Sequence, residues 1–110
     1  MAPIPVGTVT FLFTDIEGST RLWEQFPTAM KAALETHDKL LRELVEAYGG
    51  HVFKMVGDGL CAAFQSAADA LISAVRAQQA ICSNDWAAVG LAADGIKVRM
   101  AIHTGSTEEH

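Results

Sequence analysis

The sequence has few of the features that mark secreted or nucleic-acid-binding proteins. It contains only two cysteines. It has eight Lys and Arg residues and thirteen Asp and Glu residues, which give a formal net charge of -5. Nucleic-acid backbones need clustered basic side chains, so this balance argues against nucleic acid as a partner. Two cysteines in apolar surroundings are typical of free core thiols rather than a disulfide framework. We therefore expect a cytoplasmic protein in which any bound phosphate is held together with a metal.

Long hydrophobic runs are also missing. The first residues, MAPIP, lack the positive start and apolar run of a secretory signal, and no apolar run reaches the roughly 18 residues that a membrane span needs. We expect no membrane contact for this chain. Apolar residues make up 50% of the 110 positions and charged residues 19%, a composition typical of one globular domain over residues 1–110.

The stretch GTVTFLFTDIEGST at residues 7–20 combines a strand, a polar turn and the start of a helix. β-Branched and aromatic residues predict a mostly buried strand with Asp15 at its carboxyl end. Ser19 or Thr20 is a suitable cap for the helix that follows. A carboxylate beside free helix N–H groups suits a metal-bound polyphosphate, but strands also commonly end at such turns. This stretch alone leaves both interpretations open.

A long second helix is predicted from Pro27, which fits the first helical position. Apolar residues recur at spacings of three and four from Met30 to Tyr48, and Gly49-Gly50 ends the helix. His37 lies on this apolar stripe. We interpret it as a core residue rather than a metal ligand, because no second ligand-type residue lies one helical turn away on that face.

The middle of the sequence predicts a β-hairpin and a third helix. Two short strand-like runs flank Gly57-Asp58-Gly59, and this turn presents Asp58. Ser66 and Asp69 form a capping-box signature for a helix that continues to about Cys82. The apolar positions on that helix are Ala68, Leu71, Ile72, Val75 and Ala80.

A loop and a fourth strand complete the chain. Residues 83–95 predict a loop in which Trp86 covers an edge of the core. Alternating apolar residues from Ile96 to His103 predict the strand, which Thr104-Gly105-Ser106 ends. Residues 107–110 form a polar tail that we expect to fray.

This order of elements predicts an α+β fold, a ferredoxin-like sandwich (βααββαβ) with the first and third strands central. Such a sheet brings Asp15 beside the hairpin turn that carries Asp58. Two converging carboxylates repel each other unless a cation lies between them or one is protonated. Mg²⁺ is commonly held by one or two carboxylates and substrate phosphates, although Asp58 is equally explained as an ordinary turn residue.

Three motifs in this order, FTDIEGST, FKMVGDG and VRMAIHTG, resemble the catalytic domain of class III adenylate and guanylate cyclases. The resemblance covers about residues 6–105. It implies that Asp15 and Asp58 are catalytic and, with the backbone carbonyl of Ile16, hold two Mg²⁺ or Mn²⁺ ions. It also implies that Lys54 selects the base, although a lysine that simply extends to solvent explains the same residue. The residues it assigns to the triphosphate are Gly18, Ser19 and Thr20.

The resemblance further implies an adenylate cyclase domain that converts ATP to cyclic AMP and diphosphate, with a site shared between two copies of the chain. The sequence stops at His110, before the family's second base-selecting residue and before the asparagine and arginine that stabilise its transition state. We therefore expect a C-terminally incomplete cyclase domain with little or no activity alone, since a transition-state arginine can be worth about 10³ or more in rate.

Two other functions fit parts of the pattern. A non-catalytic regulatory or dimerisation module with the same fold could pair through an exposed sheet edge. It would form a stable dimer without binding nucleotide. A phospho-accepting domain would use Asp15, but it needs an all-parallel sheet, and the predicted hairpin speaks against that arrangement.

Overall fold

The computed structural model describes residues 7–91 and 95–106. The predicted tail at 107–110 and the first six residues lie outside this part of the chain. Its elements, in chain order, are β1 (Thr8–Ile16), α1 (Ser19–Gln25), α2 (Pro27–Ala47), β2 (His51–Val56), β3 (Gly59–Phe64), α3 (Ala67–Ser83), a 3₁₀ turn (Trp86–Val89) and β4 (Val98–Ser106).

The four described strands form one antiparallel sheet in the order β2-β3-β1-β4. The central positions of β1 and β3 confirm the predicted ferredoxin-like arrangement. β1 pairs with β4 over its whole length, from Thr8 opposite Ser106 to Ile16 opposite Val98. Because every pairing is antiparallel, the sheet also excludes the all-parallel fold that a phospho-accepting domain would need.

Helices α2 and α3 cover one face of this sheet, and the core lies between them. Leu12 on β1, Leu41 on α2 and Phe64 on β3 belong to one buried cluster. Successive side chains of a strand point to opposite faces, so Phe11 and Phe13 lie on the other face, which we call the open face. Phe13 is 41% exposed. The prediction of a mostly buried β1 is confirmed, because five of its nine residues are buried and only Thr8 and Phe13 are exposed.

Helix α2 follows its prediction closely. Pro27 occupies its first turn, and Gly49 ends it with a φ of 79°, a conformation that favours glycine. His37 is fully buried, and its Nδ1 lies 2.8 Å from Asp38 Oδ1. The interpretation of His37 as a core residue is confirmed.

Helix α3 begins as predicted but packs differently from its apolar pattern. The Asp69 backbone N–H donates to Ser66 Oγ at 3.2 Å, which confirms the cap. Small side chains allow a helix to approach its neighbours closely, and the residues that α3 buries are mostly small: Ala70, Ser73, Ala74, Ala77 and Ile81. The larger residues noted in the sequence, Leu71, Ile72 and Val75, lie on its exposed side. Cys82, which we expected in the core, is exposed as well.

Two predictions near the end of the chain need correction. Trp86 is buried in a second core cluster, with Ile16 and Met30, rather than at an edge. Its indole N–H donates to the Ile81 carbonyl at 2.8 Å. The fourth strand starts at Val98 and continues to Ser106 instead of stopping before Thr104. Pairing with the start of β1 extends it, and the Thr10 and Thr104 hydroxyls are hydrogen-bonded at 2.9 Å.

Candidate functional site

The candidate site begins at the carboxyl end of β1. Asp15 lies on the open face and pairs across the strand register with Arg99 of β4. The chain then leaves the sheet, with one last hydrogen bond from the Glu17 N–H to the Lys97 carbonyl at 2.8 Å. The extended ladder to β4 thus holds the Asp15 backbone rigidly at the point where the turn starts.

The Asp15 carboxylate is already engaged by a cation. Arg99 donates through Nε to Oδ1 at 2.7 Å and through Nη2 to Oδ2 at 2.8 Å, a bidentate pair. The hydrogen bond from Arg99, with its charge, lowers the pKa of Asp15 below its ordinary value of 3.8. Both side chains remain well exposed, 65% for Arg99 and 48% for Asp15, so solvent reaches the pair and weakens its attraction.

More than one carboxylate acts on the Arg99 guanidinium. Its pKa is raised mainly by the hydrogen bond and charge of Asp15, and further by the negative charges of Glu17 and Asp58. Asp15 is thus the carboxylate that holds Arg99 in place, and Glu17 and Asp58 add only a weaker attraction. Sequence reasoning missed Arg99, although its place on the same strand face as Ala101 and His103 was visible in the alternation of β4.

Asp58 is carried by the tight turn between β2 and β3. Gly57 adopts a φ of 59°, and Gly59 lies so close to β1 that a Cβ on it would come within 2.6 Å of the Thr14 carbonyl oxygen. The turn is thus pressed against the end of β1, one residue before Asp15. The hairpin prediction is confirmed, and it brings the Asp58 turn beside the strand that carries Asp15.

The two aspartates nevertheless line different depressions. Asp58 lines a cavity of about 410 Å³ with Ser19, Trp23, Leu34 and Gly57. Asp15 lines one of about 200 Å³ on the open face, together with Arg99 and neighbouring strand residues. Their joint ligation of metal ions stays a prediction.

The turn after β1 differs from its predicted cap. Gly18, with a φ of 65°, is the residue that precedes α1, and no side chain caps the helix. Ser19 is already inside the first turn, so its hydroxyl is not in the capping position, and the prediction of a Ser19 or Thr20 cap was wrong. The first backbone N–H groups of α1 are consequently not occupied by a side-chain cap.

Lys54 lies on β2, opposite Cys61 of β3 and next to an irregularity in the strand pairing at Phe53. Its side chain is exposed. This placement is compatible with a residue that reaches a ligand across the open face and with a lysine that simply extends to solvent, so base selection stays a prediction.

The donor set suits a hard divalent cation held together with a substrate. In the described part of the chain, no three His, Cys, Asp or Glu side chains are grouped so that they could enclose a metal ion. Carboxylate oxygens are the ligands that Mg²⁺ prefers, and one or two of them suffice when phosphates complete the coordination. The position of Arg99 shows that a positive charge is stable beside Asp15. These residues therefore fit metal ions that arrive with a polyphosphate.

None of the described helices combines the length and apolar character that crossing a bilayer would require.

Comparisons with known proteins agree on one family. The family model described as the adenylate and guanylate cyclase catalytic domain matches residues 1–109. The chain is 40% identical over 82 residues to an adenylate cyclase of Lachancea kluyveri, covering 74% of this chain and 4% of that protein. It is 34% identical to one of Podospora anserina, covering 94% and 6%. A solved adenylate cyclase structure from Trypanosoma brucei, described in its monomeric state, has a TM-score of 0.85 and 31% identity, covering 93% of this chain and 58% of that one. The chain thus spans a small part of its full-length relatives.

Proposed function

The chain belongs to the family of adenylate and guanylate cyclase catalytic domains, and on this premise we propose that it forms the metal-binding half of an adenylate cyclase site, converting ATP to cyclic AMP and diphosphate. The observation that carries the proposal is the position of the Arg99 guanidinium, a cation bound to Asp15 near the end of β1. There the Asp15 carboxylate holds a positive charge, and the charges of Asp58 and Glu17 act on the same position.

Asp15, Asp58 and the backbone carbonyl of Ile16 would hold two Mg²⁺ or Mn²⁺ ions. When bound, such ions lower the pKa of the ribose 3′-hydroxyl and neutralise charge on the departing diphosphate. Asp15 must first release Arg99. The freed guanidinium, with its planar set of donors, then lies beside the site where phosphate oxygens would bind.

The residues around the turn account for the rest of substrate binding. The backbone N–H groups of Gly18, which precedes α1, and of Ser19 and Thr20 in its first turn are suited to phosphate oxygens because no side chain caps this helix. Lys54, on the open face, would select adenine over guanine. ATP is therefore the proposed substrate, with GTP as the alternative that a Lys54 variant distinguishes.

A second copy of the chain would complete the site. The open face carries exposed apolar side chains on two strands, including Phe13, Phe53 and Val56, and the partner would cover them. The same exposed face supports the second candidate, a dimerisation module with the cyclase fold that does no chemistry. We propose that the 110-residue chain alone has little or no activity.

The decisive experiment measures Mn²⁺-dependent binding of a fluorescent ATP analogue to the 110-residue chain. We expect Asp15→Ala and Asp58→Ala each to weaken binding at least tenfold, because each removes a carboxylate ligand. Glu43→Gln, which removes an exposed carboxylate from α2, is the matched control and should bind like the wild type.

Unchanged binding in both aspartate variants would refute the site. A stable dimer that binds no nucleotide would instead favour the non-catalytic module. Robust cyclic AMP formation by the purified chain would overturn the expectation of inactivity. Lys54→Glu should reduce the preference for ATP over GTP, and an unaltered preference would remove Lys54 from base selection.

A further inference from the structure

The outer side of helix α3 carries an exposed apolar patch. Leu71, Ile72 and Val75, which we call the α3 patch, are 56%, 43% and 48% exposed. They line a shallow cavity of about 360 Å³ with Arg76 and Gln79. Helix α3 lies on the helical side of the sheet, so this patch is separate from the open face and from the candidate site.

Two opposite charges flank the α3 patch symmetrically. Asp69 and Arg76 are seven residues apart, which is about two helical turns or roughly 10.5 Å, so they lie on the same flank of the helix. Their midpoint falls between positions 72 and 73, at the centre of the patch. Among the described residues neither Asp69 nor Arg76 forms an ion pair, and the Arg76 guanidinium donates a hydrogen bond to Gln79 Oε1 at 3.3 Å.

We propose that a second copy of this chain binds the α3 patch, with the two α3 helices antiparallel about a twofold axis. Such an axis near Ile72 places Asp69 of each copy opposite Arg76 of the other. It also brings the two Ile72 side chains together and sets Val75 of each copy beside Leu71 of its partner. The patch is therefore complementary to itself in both charge and apolar surface, as an isologous interface requires.

The charges select this orientation over a parallel one. In a parallel pair the twofold axis runs along the helices and places the charged flanks of the two copies on opposite sides of the interface, so neither Asp69 nor Arg76 would face its complement. Three side chains that are each about half exposed cover less than the roughly 800 Å² per partner of a standard interface. We therefore expect a weak dimer.

Charge reversal tests the pairing directly. Sedimentation at low salt, in a Phe13→Asp background that disables the open face, should show that Asp69→Arg and Arg76→Asp each weaken association at least fivefold, because like charges then face each other. Equimolar mixing of the two variants should restore association as a heterodimer, and so should both reversals in one chain. Lys39→Glu, on an exposed position of α2, is the control and should associate like the wild type. Failure of the mixture and of the double reversal to associate, with circular dichroism showing intact folds, would overturn the proposal.

Crosslinking distinguishes this contact from pairing through the open face. With Cys61 and Cys82 replaced by alanine, Ile72→Cys lies beside the proposed axis and should form a disulfide-linked dimer on mild oxidation. Lys39→Cys in the same background should crosslink far less. Equal crosslinking of the two variants would refute the α3 contact. The Ile72→Cys crosslink should also persist in Phe13→Asp, which disables pairing through the open face, and its loss there would refute an α3 contact that is independent of the open face.

Discussion

Gly59 is the position where a single methyl group most directly tests the geometry of the site. A Cβ there would lie 2.6 Å from the Thr14 carbonyl oxygen and 3.2 Å from the Val56 carbonyl oxygen, whereas ordinary contacts begin at 3.4 Å. In Gly59→Ala the hairpin must therefore move away from β1 by about 0.8 Å at this point, since both neighbours are backbone atoms that cannot rotate aside.

The expected cost follows from this displacement. Overpacking that forces a backbone shift typically costs about 1–3 kcal/mol of unfolding free energy, and here it also strains the pairing of β1 with β3. Urea denaturation followed by circular dichroism should show a lower midpoint at unchanged slope. Because the shift moves Asp58 relative to Asp15, Mn²⁺-dependent binding of the ATP analogue should weaken as well.

Gly57→Ala provides the matched control on the same turn. Gly57 has a φ of 59°, and no atom lies within 4 Å of the place that a methyl group would take, so its substitution costs only the backbone strain of about 1–2 kcal/mol. We expect it to lower stability with a smaller effect on binding. If Gly59→Ala changed neither stability, within about 0.5 kcal/mol, nor Mn²⁺-dependent binding, the close approach of the hairpin to β1 would be refuted.

Three further predictions concern single contacts. Arg99→Gln removes the guanidinium that competes with a metal ion for the Asp15 carboxylate. Electron paramagnetic resonance should therefore show Mn²⁺ affinity rising about two- to fivefold. An unchanged or lower affinity would contradict this competition. Arg76→Gln, remote on α3, is its control. Trp86→Phe loses the hydrogen bond to the Ile81 carbonyl and should lower the unfolding free energy by about 1–3 kcal/mol in urea, with no loss counting against the buried bond. Because Arg99 lowers the Asp15 pKa below 3.8, their pairing stabilises the fold fully above that pH and is lost as the pH falls through the lowered value. The stability difference between wild type and Asp15→Asn should therefore shrink as the pH falls below 3.8, and a difference that did not change with pH would disprove the linkage.

The sequence predicted helix ends correctly where the backbone conformation of one residue determines them. Pro27 fixes the dihedral of a first helical turn, and Gly49 tolerates the positive φ that ends a helix. The Ser66 cap likewise depends on groups three residues apart. The cap of α1 failed because Gly18 takes the turn conformation itself, which moves Ser19 one position into the helix.

The sequence by itself determined the order of the elements, the long apolar stripe of α2, the hairpin turn at Asp58 and the family resemblance. Each of these depends on residues that are close in sequence or on motifs that can be read directly from the sequence. Only the tertiary structure showed that Arg99 forms an ion pair with Asp15, that Phe13 and the α3 patch remain exposed, and that β4 extends to Ser106. An alternating strand or an apolar helix has two faces that could be buried. The face that is buried depends on where small residues let α2 and α3 pack closely against each other and against the sheet. That choice is made by packing between distant segments, which no local pattern contains.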